Sequence, residues 1–255
     1  QKRYDLRQIG LAMVVTRKDM IPLFHLTYQG NMADAVVFRD VIETIKDRMK
    51  GLGLDREKHT VVFDRGNNSR DNMAIVERLS LHYVGALTPY HHKQLVNEAV
   101  DNFKEHDVDG SKMQVYRDKR VIWQRERTII VFISEKLKAG QVRGMYQSLE
   151  KAEKQLRQLQ QNLCNPKAKI RDKEHLENTL RILVKGQFTK SLIDWSLQEV
   201  SGGKFHLEFS INQKRLEEIE GELGLRILMT DRHDWDTGDI IKAYYGQSKI
   251  EHAFR

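Results

Sequence analysis

Cysteine is all but missing from this chain: Cys164 is the one cysteine among 255 residues. A lone thiol excludes an intramolecular disulfide framework and any zinc site built from several cysteines, and it suits a reducing compartment. Proline is nearly as scarce, at three residues, so long stretches are open to regular helix or strand. No uninterrupted apolar run approaches the roughly 20 residues that a membrane-spanning helix needs, and no signal-peptide pattern opens the chain. A soluble, intracellular, cytoplasmic protein with no membrane partner is the expectation. The chain begins at Gln1 rather than Met and stops at Arg255 inside a helical pattern, so a fragment of something longer is also expected.

What is present is enough for a substantial core. Forty per cent of residues are hydrophobic, with three Trp, eight Tyr and nine Phe, which excludes a disordered chain. Lys and Arg number 43 against 36 Asp and Glu, for a net charge of +7. That excess suits a polyanionic partner such as DNA, although it is diluted by many acids.

Periodicity organises the chain. Residues 8–16 and 21–29 read as a hairpin, 33–49 as a helix, 61–64 as a short strand, 70–80 as a helix and 82–88 as a strand closed by Pro89. This β-β-α-β-α-β order implies a mixed sheet covered by helices. After Pro89 the texture changes. Strands are expected at 113–116, 120–124 and 128–134, followed by a long amphipathic helix with Met145, Leu149, Ala152, Leu156, Leu159 and Leu163 on one stripe. A helix at 173–184, strands at 191–200 and 204–211, a helix at 213–223 and a strand at 226–230 lead to a last helix from Thr237. The division expected is a core over residues 1–89, an inserted subdomain over 90–224, and a second core segment over 225–255.

One stretch stands out as a candidate site. Val61-Val62-Phe63 ends abruptly in Asp64-Arg65-Gly66-Asn67-Asn68, and Ser69 then caps the next helix. Asp64 therefore sits at the carboxyl end of a strand, the edge at which open α/β sheets bind ligands. In the last helix Ile240, Tyr244, Gln247 and Glu251 fall on one stripe, which brings a carboxylate onto an otherwise apolar face. His91-His92 reads as loop, and the acids at 231–236 read as helix-cap composition rather than a metal site.

Together the Val-Val-Phe-Asp-Arg-Gly-Asn-Asn-Ser run, the opening Arg3-Tyr4-Asp5-Leu6-Arg7-Gln8-Ile9-Gly10 and the Tyr244…Glu251 pair resemble the DDE transposases of bacterial and archaeal insertion sequences. The branch resembled has a ribonuclease-H-like domain interrupted by a β-rich insertion, here with a long helical arm. The resemblance implies an α/β, ribonuclease-H-like mixed sheet with flanking helices, and a catalytic acid triad. Its second Asp matches Asp64 and its Glu matches Glu251. Its first Asp has no match, and the family's Arg-Pro-Asp-Leu-like segment lies downstream of that residue, so Asp5 is not its counterpart. Of the Tyr-x2-Arg-x3-Glu-x6-Lys signature, Tyr244 and Glu251 match, Gln247 stands where Arg is usual, and the Lys position lies past Arg255.

The implied chemistry is hydrolysis of a phosphodiester at the element end, followed by attack of the freed 3′-hydroxyl on target DNA. Two divalent ions about 3.5–4 Å apart suit it, and hard carboxylate ligands such as Asp64 and Glu251 favour Mg2+ or Mn2+. Arg65 and Arg255 are candidates for the scissile phosphates, with Tyr244 and Gln247 beside them. Trp123, among Arg117, Lys119, Arg120, Arg125 and Arg127, is either a base-stacking residue or part of the insertion's core. The implied partners are transposon ends, target DNA and a second copy on paired ends, with a nucleoid location. Lacking the first acid, the chain alone is expected to bind metal poorly and cut nothing. Two rivals stay open: a phosphatase-like enzyme using Asp64, against which Gly66 stands where a second acid is usual, and a non-catalytic DNA-binding transposase remnant.

Overall fold

The computed structural model describes residues 7–19, 21–55, 58–165, 172–200 and 204–246. The protein is mixed α/β and divides into two compact units, residues 1–133 with 226–255, and residues 134–225.

The first unit opens with β1 (Ile9–Val15) and β2 (Pro22–Gln29), an antiparallel hairpin that forms a two-stranded sheet of its own. It continues through α1 (Asp34–Gly51), β3 (Thr60–Phe63), α2 (Arg70–Arg78), β4 (His82–Leu87), α3 (Lys93–Asp101), β5 (Lys104–Val108), β6 (Ser111–Ile122) and β7 (Arg125–Ile133). The second unit holds α4 (Glu135–Cys164), α5 (Lys173–Leu183), α6 (Thr189–Leu192), the hairpin β8 (Ile193–Val200) and β9 (Lys204–Ile211), and α7 (Gln213–Glu222). The chain then returns as β10 (Leu225–Thr230) and α8 (Thr237–Tyr245).

The main sheet has six strands in the order β3-β4-β10-β7-β6-β5, with β3 parallel to β4 and β10 antiparallel to β4. This order moves a boundary. Residues 90–133 were expected inside the insertion, yet β5, β6 and β7 form an antiparallel meander that joins the main sheet beside β10. The inserted unit therefore starts at Ser134, and it is mainly helical with one hairpin rather than β-rich. The two short strands expected at 113–116 and 120–124 are one 12-residue strand, β6. In the second unit the stripe from Met145 to Leu163 is buried against Leu176, Leu180, Phe205 and Leu207, so this amphipathic face is satisfied within its own unit.

Packing follows strand alternation. β4 is buried along nearly its whole length, as a strand covered on both faces must be. Val84, Ala86, Ile130, Phe132 and Leu228 pack with Ile240, Ile241, Ala243 and Tyr244 of α8, and Val62 joins the same cluster. On the opposite face the Phe63 ring meets Phe38 edge-on with centroids 4.9 Å apart and stacks on Tyr83 at 6.3 Å.

Among the described residues of this unit, one charged side chain is buried. Arg127 is 1% exposed and each of its three nitrogens has a partner: Nε donates to Ile122 O at 3.0 Å, Nη1 to the Tyr83 hydroxyl, and Nη2 to Glu77 Oε1 at 2.6 Å. Its guanidinium also faces the Tyr83 ring. Glu77 closes α2 and Arg127 lies on β7, so the pair ties that helix to the sheet; removing one partner strands the other charge away from water. Burial holds the Tyr83 phenol well above its ordinary range.

Glu77→Ala is expected to lower stability by about 3 kcal/mol, read as a shift in the urea midpoint with an unchanged slope. Native Tyr83 keeps its proton past about pH 10, where an unfolded tyrosine releases it. Its contribution to stability is therefore complete below that pH and is lost as pH rises further. Urea midpoints that fall above about pH 10 in the native chain, and fall less in Tyr83→Phe, are the expected result.

Candidate active site

Asp64 follows directly on the last residue of β3, and the turn behind it is tied down locally. Asn67 N donates to Asp64 O at 3.1 Å within a 3-10 turn over Arg65–Asn67. Ser69 caps α2 by accepting from Asn72 N at 3.2 Å, and Asn72 Nδ2 returns a bond to Asn67 O at 3.0 Å. Asn68 Nδ2 reaches across to Ala86 O at 2.5 Å on the neighbouring strand. The strand end, the turn and the helix start thus form one bonded unit with an exposed carboxylate at its tip.

Strand alternation places Asp64 on the same face as Val62, the face covered by α8. There the Tyr244 hydroxyl donates to Asp64 Oδ1 at 3.0 Å, across 180 residues of sequence. Tyr244 is 5% exposed, with its ring in the apolar cluster and its hydroxyl at the rim. A third residue completes the constellation, and the sequence reading did not name it. Arg226, the second residue of β10, donates from Nη1 to the Tyr244 hydroxyl at 3.1 Å and holds its guanidinium over the Tyr244 ring at 5.5 Å. β10 runs antiparallel to β4 with Ile227 opposite Leu87, so Arg226 lies at the same sheet edge as Asp64. The signal available was one arginine in the strand Leu225-Arg226-Ile227-Leu228-Met229, on the parity of buried Leu228.

Two buried polar atoms at this edge have no hydrogen-bond partner among the described residues: Asn68 Oδ1 and Arg226 Nε. Gly85 is required beside the first. A Cβ there would lie 2.6 Å from Asn68 Oδ1 and 2.9 Å from the Phe63 ring.

Glu251, Gln247 and Arg255 lie outside the described residues, and the side chain of Arg65 is likewise not described. Trp123 sits with Gln124 in the two-residue turn between β6 and β7, both at positive φ (50° and 67°), half-buried with its ring 5.6 Å from the Arg127 guanidinium. It packs in the first unit rather than in an insertion core, because β6 and β7 belong to the main sheet. The cations around it are engaged: Arg117 with the carbonyls of His233 and Trp235, Lys119 with Glu126, Arg120 with Glu98 and Asp118, and Arg125 with Glu77. Asp231 accepts from His82 Nδ1 at 2.7 Å and from Tyr83 N at 3.0 Å, and Asp236 sits at the N-cap of α8 without a side-chain cap bond. His92 is held below the ordinary histidine range by burial and by the neighbouring His91.

Asp64 offers the hard oxygen donor that Mg2+ or Mn2+ prefers, at an accessible sheet edge. Among the described residues no group of three or more His, Cys, Asp or Glu comes together to hold a metal. No helix among them is long and apolar enough to cross a membrane. No family model, curated protein or solved structure matches the chain.

Gly85→Ala is expected to cost about 1–3 kcal/mol through overpacking and to displace the Asn68 side chain. Chemical denaturation together with the Asn68 side-chain amide resonances tests both parts.

Proposed function

We propose that this chain is the catalytic region of a metal-dependent DDE transposase of the insertion-sequence type, with a ribonuclease-H-like core, acting on transposon ends and target DNA. The observation that carries the reading is the bond between Asp64 and Tyr244. These residues come from the two separate motifs of the resemblance, and one hydrogen bond joins them. The parallel pair β3 and β4, linked through α2, with the candidate acid at the β3 end, also supports it.

Asp64 and Glu251 are the residues that would hold two Mg2+ or Mn2+ ions. Bound there, such ions supply activation of water near neutral pH and neutralisation of charge on the phosphate. The chain's own part is to orient Asp64 through Tyr244 and to receive the DNA backbone on cationic side chains, among them Arg65, which directly follows Asp64, and Arg255, four residues beyond Glu251. A second copy bound to paired ends belongs to the same reading. Gln247 at the position where the family has Arg favours one alternative, a DNA-binding remnant without catalysis.

The test uses the complete gene product with labelled element-end duplexes in Mg2+ or Mn2+. Native protein is expected to nick the element end and join it to target DNA. Asp64→Asn and Glu251→Gln should each abolish both steps while leaving a salt-sensitive mobility shift intact. Nicking that survives Asp64→Asn would overturn the proposal, and salt-sensitive binding with no cleavage by the native protein would establish the remnant instead.

A further inference from the structure

We propose that Arg226 is a positioning residue for the Asp64 carboxylate, acting through the Tyr244 hydroxyl; its consequence for metal binding rests on the function proposed above.

The end groups fix the direction of the relay. A guanidinium can only donate hydrogen bonds, and an ionised carboxylate can only accept them. Between them stands a single hydroxyl, 3.1 Å from Arg226 Nη1 and 3.0 Å from Asp64 Oδ1. The hydroxyl oxygen therefore accepts from Arg226, and its one proton points at Asp64. Without Arg226 the hydroxyl could rotate toward water or another acceptor. With it the hydroxyl oxygen is engaged from the Arg226 side, the order Arg226→Tyr244→Asp64 is favoured, and each bond polarises the next.

The setting argues that Arg226 is not there for stability. Its strand neighbours Ile227 and Leu228 are fully buried apolar residues, and an apolar side chain at position 226 would extend that surface. Instead the site holds a cation whose Nε is buried with no partner among the described residues, an arrangement costing about 1–3 kcal/mol. What the cation supplies is order in an exposed side chain. Asp64 lies at the tip of a turn, where a short carboxylate samples several rotamers, and a directed donor on Oδ1 selects one. Ligand-orienting partners one bond removed from a metal typically change its affinity 10- to 100-fold.

Two measurements on the same samples of the complete gene product separate the proposal from the reading beneath it. Three-bond couplings to Asp64 Cγ report its χ1 rotamer, and paramagnetic broadening of the Asp64 resonances during a Mn2+ titration reports metal affinity. Native protein is expected to show one rotamer, Arg226→Met and Tyr244→Phe averaged rotamers, and Arg226→Lys, which keeps a donor, largely one. Mn2+ affinity should fall about tenfold in Arg226→Met and in Tyr244→Phe, with no further loss in the double variant, because the two act in series. A single Asp64 rotamer in a folded Arg226→Met, additive losses in the double variant, or losses that merely follow melting temperature would overturn the role of Arg226. Should Arg226→Met not fold, Tyr244→Phe and Arg226→Lys carry the same comparison. Mn2+ that leaves Asp64 unperturbed in native protein would remove the metal reading, and the role of Arg226 in metal binding with it.

Discussion

The architecture of the first unit depends on β10 lying between β4 and β7. Without it the main sheet is two pieces, the parallel pair β3 and β4 and the meander of β5, β6 and β7. With it there is one continuous surface on which α8 packs, and Val84, Leu228 and Ile130, from three adjacent strands, share one apolar cluster. The same strand supplies Arg226 at one edge of the sheet. At its other end it leads to Asp231, which pairs with His82 and the Tyr83 amide. A late segment of the chain thus both closes the sheet and furnishes the candidate site.

Electrostatics within this unit follow a division of labour. The deeply buried charge, Arg127, has its bonds filled by Glu77, Tyr83 and a carbonyl, as a buried ion requires. Arg226 is less fully served, and it is the one joined to the exposed Asp64 through Tyr244. A buried polar atom without a partner in an otherwise well-satisfied fold calls for an explanation. Arg127 also steadies the turn of Trp123 and Gln124, whose left-handed backbone is unusual for a large aromatic residue.

Much of the first unit was legible in residue order because its signals are local. β3, β4 and α2 announce themselves by apolar runs, Ser69 and Pro89, and Asp64 by its place at the strand end. α8 was legible by its apolar stripe, and so was the side that Tyr244 presents. Other parts were hidden for physical reasons. β5 reads Lys104-Glu105-His106-Asp107-Val108 and buries only its last residue, because it is an edge strand; only the Asp109-Gly110 pair, which forms the tight turn into β6, marked it. The turn at Trp123-Gln124 carries no glycine or asparagine and so looked like strand. Most of all, sheet order is a long-range property. Nothing in residues 104–133 states that they pair beside a strand at 225–230, which is why the inserted unit was expected to start at 90 rather than at Ser134. Arg226 was passed over because a lone arginine in an apolar strand is ambiguous until its partner is known.

The two ends of the inserted unit meet. Ser134 N donates to Gly224 O at 2.9 Å, and Gly224 N is held by the Gln141 side chain at 2.8 Å. To the sheet, everything between these residues is a closed loop. Closing a loop depends only weakly on its length, each doubling adding about 0.6 kcal/mol. The size and content of the unit are therefore nearly decoupled from the stability of the sheet, provided its mouth stays closed. Residues 135–223 can diverge, shrink or be exchanged in evolution far more freely than the strands on either side, and Gly224, at φ 84° with Lys138 Cβ 2.6 Å from where its own Cβ would stand, is the residue of the mouth least open to change.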